Sequence, residues 1–294
     1  MTLTLQYVID ALNVGGLYAL MALGIGLIFG IMRLINFAHG EMVMVGGYAM
    51  LLLIDLPGPA VVGVSILAVV ALALAIERLA FRPLRDAAPS TLLVASFALS
   101  YFLQNLSVLL FGARPKPFVF ASALATDLQV GPVRIALLQL VSMGLTLAAL
   151  AGLTVLLKRT SIGVQLRAAS QDFRAARLCG VRANSVIAFA FAISGALAWI
   201  VSLIYSAQIG QLSPAMGVRP VVIGFVATIL GGLGSLVGAV VGGFFVGALA
   251  VALEAGLSLE LRPFKEAVLF ALVFLVLLLR PQGLVAVRAL RERV

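Results

Sequence analysis

Long uncharged apolar runs alternate with short polar breaks along most of the chain. Ala11–Met32, Leu56–Ile76, Ala87–Ala113 and Ile135–Leu157 carry no charged residue, and each reaches the roughly 20 residues that a membrane-spanning helix needs. The runs are continuously apolar, whereas barrel strands would alternate in hydrophobicity, so the pattern predicts helices. The expected fold is an all-α polytopic integral membrane protein with about eight or nine transmembrane or re-entrant helices, built as one transmembrane domain over 1–294. Met42–Ile54 is too short for a comfortable full span. The first residues hold no Lys or Arg and no small-residue cleavage site, so the first apolar run is expected to be retained rather than removed as a signal peptide.

Composition agrees with this picture. Hydrophobic residues make up 63% and charged residues 11% of the 294 positions, against roughly 25% charged in a soluble domain. The net charge of +9 reports orientation before it reports any partner, and nucleic acid is not among the partners expected. Lys158, Arg159, Arg167, Arg174, Arg177 and Arg182 face a single acid, Asp172, which places the 158–184 loop on the cytoplasmic side. Counting crossings from that loop puts 113–134 and the N-terminus outside. The Arg33–Met42 stretch and the 281–294 tail fall inside. On this count Pro220–Leu253 starts and ends on one side, so it either crosses twice as short helices or dips in and returns. Its glycines at 234, 238, 242, 243 and 247 recur at helical spacing. Gly234, Gly238, Gly242, Gly243 and Gly247 are therefore expected to form a small-residue face for close helix packing, with lining of a substrate path as the alternative.

Several chemistries are excluded by what the chain lacks. None of the three lysines follows a glycine, so there is no phosphate loop, and Gly232-Leu-Gly234 followed by Gly238 misses the dinucleotide spacing. One histidine, one cysteine and no carboxylate pair within the apolar runs leave no nucleophile constellation and no metal cluster. Neither catalysis nor a cofactor is expected. The apolar runs read as empty of charge, which also argues against a secondary transporter.

Two polar stretches remain as candidate sites. The first is Asn36-Phe-Ala-His-Gly-Glu41, which holds the only histidine. It reads in two ways. His39-Gly40 makes a turn between helices, with Asn36 capping backbone groups and Glu41 favouring a helix N-terminus, or Asn36, Phe37, His39, Gly40 and Glu41 contact a substrate or gate its path. The second is Gly163–Gly180. There Ala168, Ala169, Asp172, Ala175, Ala176 and Cys179 recur at three- and four-residue intervals, predicting a short helix with a narrow small-residue face and Gly180 as its C-cap. That segment is either a solvated basic loop or a helix that docks into another protein.

Taken together, the run Gly15–Gly26, the string Ile35-Asn-Phe-Ala-His-Gly-Glu41 with Gly46-Gly-Tyr48, and Gly163-x-x-x-Arg167-Ala168 with Asp172, Ala175, Ala176 and Gly180-Val181 resemble the LivH-type permeases of branched-chain amino acid ABC importers. Gly224–Gly247 resembles that family's late glycine-rich segment, and the resemblance runs from about Gly15 to Gly283. It implies a multi-pass permease domain in the bacterial inner membrane, without an ATPase site of its own. It would work with a second, related permease as a heterodimer, two cytoplasmic ATP-binding subunits, a periplasmic substrate-binding protein and the surrounding membrane lipid. Arg167, Ala168, Asp172, Ala175, Ala176 and Gly180 would then carry ATPase coupling. Permeases of this family also serve other amino acids, short amides and urea. Arg177 and Cys179 fall at variable positions of the pattern.

Overall fold

A computed structural model of the chain describes residues 2–85, 87–120, 127–130 and 133–285, with side chains over 5–85, 87–120, 136–173 and 175–285. Eleven α-helices account for nearly all of it: α1 (Thr2–Met32), α2 (His39–Leu52), α3 (Gly58–Ala75), α4 (Pro89–Phe111), α5 (Leu137–Arg159), α6 (Ser161–Gln171), α7 (Phe173–Leu178), α8 (Ala183–Ile209), α9 (Val218–Gly231), α10 (Leu236–Gly256) and α11 (Lys265–Leu279). A π-helical turn, Ile76–Phe81, continues α3. Six of these helices are long and apolar enough to cross a membrane, while α9 is apolar but shorter. The chain is a multi-pass membrane protein.

Side-chain pairs fix the direction of each helix. Asn13 bonds Ser142 and Gly16 faces Thr146, so α1 and α5 run side by side in the same sense. Gly15 lies against Phe244 and Gly243 against Ala19, so α10 runs antiparallel to α1. The ends where α1 and α5 finish, next to α6 and α7, form a basic end of the bundle. At the far end β1 (Lys116–Pro117) pairs with β4 (Gln211–Leu212), and β2 (Asp127–Val130) pairs with β3 (Val133–Ala136). Much of the expected outer loop, 121–126 and 131–132, lies outside the described residues. So does most of the expected tail, including Arg288, Arg291 and Arg293, although Leu284 N–H and Val285 N–H donate to the carbonyls of Leu230 and Gly231.

After α1 the chain turns back into the bundle. Arg33, with φ 55°, is the one positive-φ residue other than glycine among those described. Residues 34–38 then return until the His39 ring packs on Gly24, eight positions before the end of α1. At 1.5 Å per helical residue that is about 12 Å inside the bundle. From there α2 runs to the far end, where Tyr48 stacks on Phe111. Arg33 itself is exposed, but the rest of the stretch, Leu34–Met42, runs into the interior and does not stay on the inner side where the crossing count put it.

The second half repeats this path upside down. After α8 the chain also doubles back, and α9 starts in the interior with Gly217 against Gly40 and runs to the basic end. Segment 220–253 is thus a half-length helix followed by a full-length one, neither a double crossing nor a dip and return. The order long, short, long recurs in α1–α3 and α8–α10 with inverted direction, and each half ends on one more helix, of 23 residues in α4 and 15 in α11. Contacts recur too: α1 packs on α8, α9 and α10, while α8 packs on α1, α2 and α3. Even single bonds match, since His39 N–H donates to Asn36 O and Glu41 N–H to Ala38 O. Their equivalents are Met216 N–H to Ser213 O and Val218 N–H to Ala215 O. Asn36 and Ser213, His39 and Met216, and Gly40 and Gly217 all fall at one constant sequence offset.

Glycine contacts hold the helices together. A Cβ on Gly242 would meet the Ala227 carbonyl, one on Gly243 the Ala19 backbone, one on Gly247 the Gly15 backbone, and one on Gly238 the Gly231 carbonyl. Such faces let backbones approach closely where no hydrophobic force drives association in lipid. Gly234 departs from the expected packing face: it sits at φ +88° in the α9–α10 turn with open space around it. Gly243→Leu is expected to lower the melting temperature of the detergent-purified protein, because overpacking costs about 1–3 kcal/mol or more. Gly63→Ala, with nothing near the added carbon, is expected to leave it unchanged or raise it slightly.

Candidate functional site

The starts of α2 and α9 meet inside the bundle, and the Asn36–Glu41 string wraps that junction. His39 and Gly40 are the first residues of α2, so they begin a helix and do not make the turn that one sequence reading gave them. The first four N–H groups of a helix lack intrahelical partners. Here His39, Gly40 and Glu41 donate to Asn36, Phe37 and Ala38 carbonyls at 3.2, 3.3 and 3.1 Å. That tight turn satisfies the backbone where no water is at hand, as lipid requires. Asn36 is 1% exposed, and neither oxygen nor nitrogen of its amide has a partner within the protein. It therefore does not cap the helix as expected.

Three other helices supply partners that the sequence did not suggest. Ser194 of α8 donates to the Gly24 carbonyl and bonds His39 Nδ1, both at 3.0 Å. Glu41 Oε1 accepts from Ser100 Oγ and Gln104 Nε2 of α4, both at 2.8 Å. His39 Nε2 and Glu41 Oε2 have no protein partner and are buried. Phe37 stacks on Phe97 of α4 at 4.1 Å and lies 5.8 Å from the Phe225 ring of α9. The string thus touches α1, α4, α8 and α9 at once. The Ser202 and Ser206 hydroxyls, also without partners, face Gly46 and Gly47 further along α2.

Two carboxyl side chains are buried in the bundle, outside the uncharged runs. Glu41 is 1% and Glu77 4% exposed. Glu77 lies in the π-helical turn that ends the Gly58–Phe81 span, a kind of helix defect that is frequent at functional sites. Arg85 pairs with Glu77 and donates to Asn184 Oδ1 at 2.5 Å, joining the basic end of α3 to the first turn of α8. The hydrophobic pattern of the chain does not single out Arg85. A glutamate just before a cluster of three arginines was the available clue.

The 163–180 segment is two helices, not one. The chain breaks at Asp172, whose Oδ1 accepts from Ala175 N–H at 3.0 Å and starts α7. A residue that bonds its own downstream backbone favours such a start over continuation. Gly180, at φ +86°, and Val181 close α7 by donating to the carbonyls of Arg177 and Ala176, a helix-ending arrangement that glycine favours. The small residues divide between two sides: Ala169 and Ala176 are buried, Ala168 is half-buried and Ala175 is exposed. Leu178 is 91% exposed.

Among the described residues no group of three or more His, Cys, Asp or Glu side chains could hold a metal. What the site offers instead is a set of unpaired hydrogen-bonding atoms deep in an apolar bundle, at the meeting point of two inverted halves. Buried polar groups of this kind cost several kcal/mol in lipid and mark transport paths.

Comparison with known proteins bears on this arrangement. Residues 7–277 match the family model described as branched-chain amino acid transport system / permease component. The chain is 33% identical, over 95% of each protein, to the high-affinity branched-chain amino acid transport system permease protein BraD of Pseudomonas aeruginosa. It is 32% identical to the corresponding LivH of Escherichia coli over 95% of this chain and 94% of that one. A probable branched-chain amino acid transport permease protein LivH of Methanocaldococcus jannaschii is 30% identical over 81% and 77%. No solved structure matches. The protein belongs to the family of branched-chain amino acid transport system permease components.

Proposed function

We propose that the chain is the membrane-spanning permease subunit of an ATP-driven importer of branched-chain or related hydrophobic amino acids in a bacterial inner membrane. One observation carries this reading: about one-third identity over nearly the whole chain to permeases named for that transport. Its partners are a second permease in a heterodimer, two cytoplasmic ATP-binding subunits and an external substrate-binding protein. The whole chain, 1–294, acts as one transmembrane permease domain, with 113–134 outside and 281–294 inside. Urea, short amides and a secondary-transport mechanism are not favoured.

In this reading the 158–184 region couples the bundle to the ATPases, with Arg167, Ala168, Asp172, Ala175, Ala176 and Gly180 as its motif. Ala175 and Leu178 face outward, which supports a docking surface there. Ala176 is buried and α7 packs on α6, which supports a role in transmitting motion. Asn36, Phe37, His39, Gly40 and Glu41 form the gate. Inverted repeats place transporter sites at the repeat interface, where broken helices start. The Gly40–Gly217 contact is such a place, and it closes the junction between the halves. Glu41 Oε2 and the Asn36 amide become available to a passing substrate when that contact opens. Gly238, Gly242, Gly243 and Gly247 support the fixed part of the bundle against which the gate moves.

In vesicles holding the reconstituted complex, amino acid uptake is expected to require ATP. Uptake without ATP, driven by an ion gradient, would overturn the importer reading. His39→Ala is expected to keep assembly while lowering uptake several-fold, because it removes the ring that Ser194 and Gly24 hold in place. Wild-type transport in that variant would remove His39 from the gate. For coupling, Ala175→Arg is expected to lower co-purification of the ATP-binding subunits at least fivefold, and ATPase recovery at wild-type yield would show that this helix does not dock.

A further inference from the structure

At the basic end α5, α6 and α10 leave a cleft of about 500 Å³. Leu23, Leu153 and Val240 line its depth, while Lys158, Arg167 and Ser170 stand at its rim. No carboxylate lines it. Neither Lys158 nor Arg167 makes an ion pair among the described residues. Lys158 also follows directly on the uncharged run Ile135–Leu157, so the cations lie where the hydrocarbon layer ends. Arg167 lines this cleft and a small adjoining cavity beside Gly26 and Gly30 of α1. It is turned to the junction of bundle and membrane.

We infer that this cleft is a binding site for an anionic diacyl phospholipid, with the headgroup phosphate between Lys158 and Arg167 and an acyl chain along the leucine and valine floor. The chemistry of the two parts requires both ends of such a molecule. A free anion would use the rim and leave the apolar depth in contact with water, and a zwitterionic lipid such as phosphatidylcholine would bring its own cation beside Lys158 and Arg167. Basic pockets between helices at the cytoplasmic surface suit such headgroups. The inference needs the bundle in a bilayer and is independent of which solute the protein moves.

Native mass spectrometry of the full chain in detergent tests it, with dioleoyl-phosphatidylglycerol and dioleoyl-phosphatidylcholine supplied in equal amounts. Retention of phosphatidylglycerol over phosphatidylcholine is expected. Each rim cation is worth about fivefold in affinity and the two together about thirtyfold, so the Lys158→Gln/Arg167→Gln pair is expected to abolish the preference. Val241→Trp, which fills the cleft without changing charge, is expected to lower phosphatidylglycerol retention as well, and it decides the matter if the double variant does not fold. Arg280→Gln removes the same charge outside the cleft and is expected to leave the preference intact. Equal retention of the two lipids by the unaltered protein would overturn the site, and so would a preference that survives the double variant and Val241→Trp. Loss of the preference in Arg280→Gln would assign it to the general basic surface. A thermal shift with inorganic phosphate equal to that with phosphatidylglycerol would show that a free anion suffices.

Discussion

A backbone inside lipid must satisfy its own hydrogen bonds, and this chain starts two helices, α2 and α9, in the interior of an apolar bundle. Both starts use the same solution. Three-residue turns ahead of α2 and α9 pair the first helical N–H groups with the carbonyls just before them, and a glycine at each start lets the two backbones touch. Had either glycine a side chain, the halves would stand apart and the first turns of both helices would lose their cover. The half-length helices, the burial of the polar string and the antiparallel pairing of the two repeats all follow from that contact.

The polar side chains at the junction depend on it in turn. His39 is aligned by Ser194 and Glu41 by Ser100 and Gln104, five residues drawn from α2, α4 and α8. Each bond crosses between elements, so a shift of α4 or α8 changes the polar surface without any change of residue. Glu77, Arg85 and Asn184 couple α3 to the start of α8, only a few residues beyond the end of α7. Movement at the basic end therefore has a short mechanical route into the helix that holds the histidine.

Much of this was legible in the sequence. Continuous apolar runs gave the spans, and the Asn36–Glu41 string together with the glycine pattern gave the family. Reading failed where a residue's meaning depends on depth. Asn36 looked like a cap because it precedes a helix, but depth within a bundle is invisible to a crossing count. The spans looked free of charge because Glu41 fell in a polar break between runs and Glu77 lies one residue past the uncharged run Leu56–Ile76. Ser100 and Ser194 are single hydroxyls in long apolar runs, indistinguishable in sequence from Ser96, which bonds within its own helix. The inverted repeat was hidden by divergence: Ala38-His-Gly40 and Ala215-Met-Gly217 share two residues of three. Gly234 kept the spacing of its neighbours but fell past a helix end, where spacing along a helix has no meaning.

The bond between His39 and Ser194 spans 155 positions of the chain. A ribosome adding about 5–20 residues per second needs on the order of ten to thirty seconds to synthesise the serine after the histidine. During that interval α2, at 14 residues, is too short to be held across a bilayer as a conventional span, and Gly217 does not yet exist. The first half must therefore wait in the membrane with its polar string unplaced, and the permease is completed only when the second half arrives to close around it.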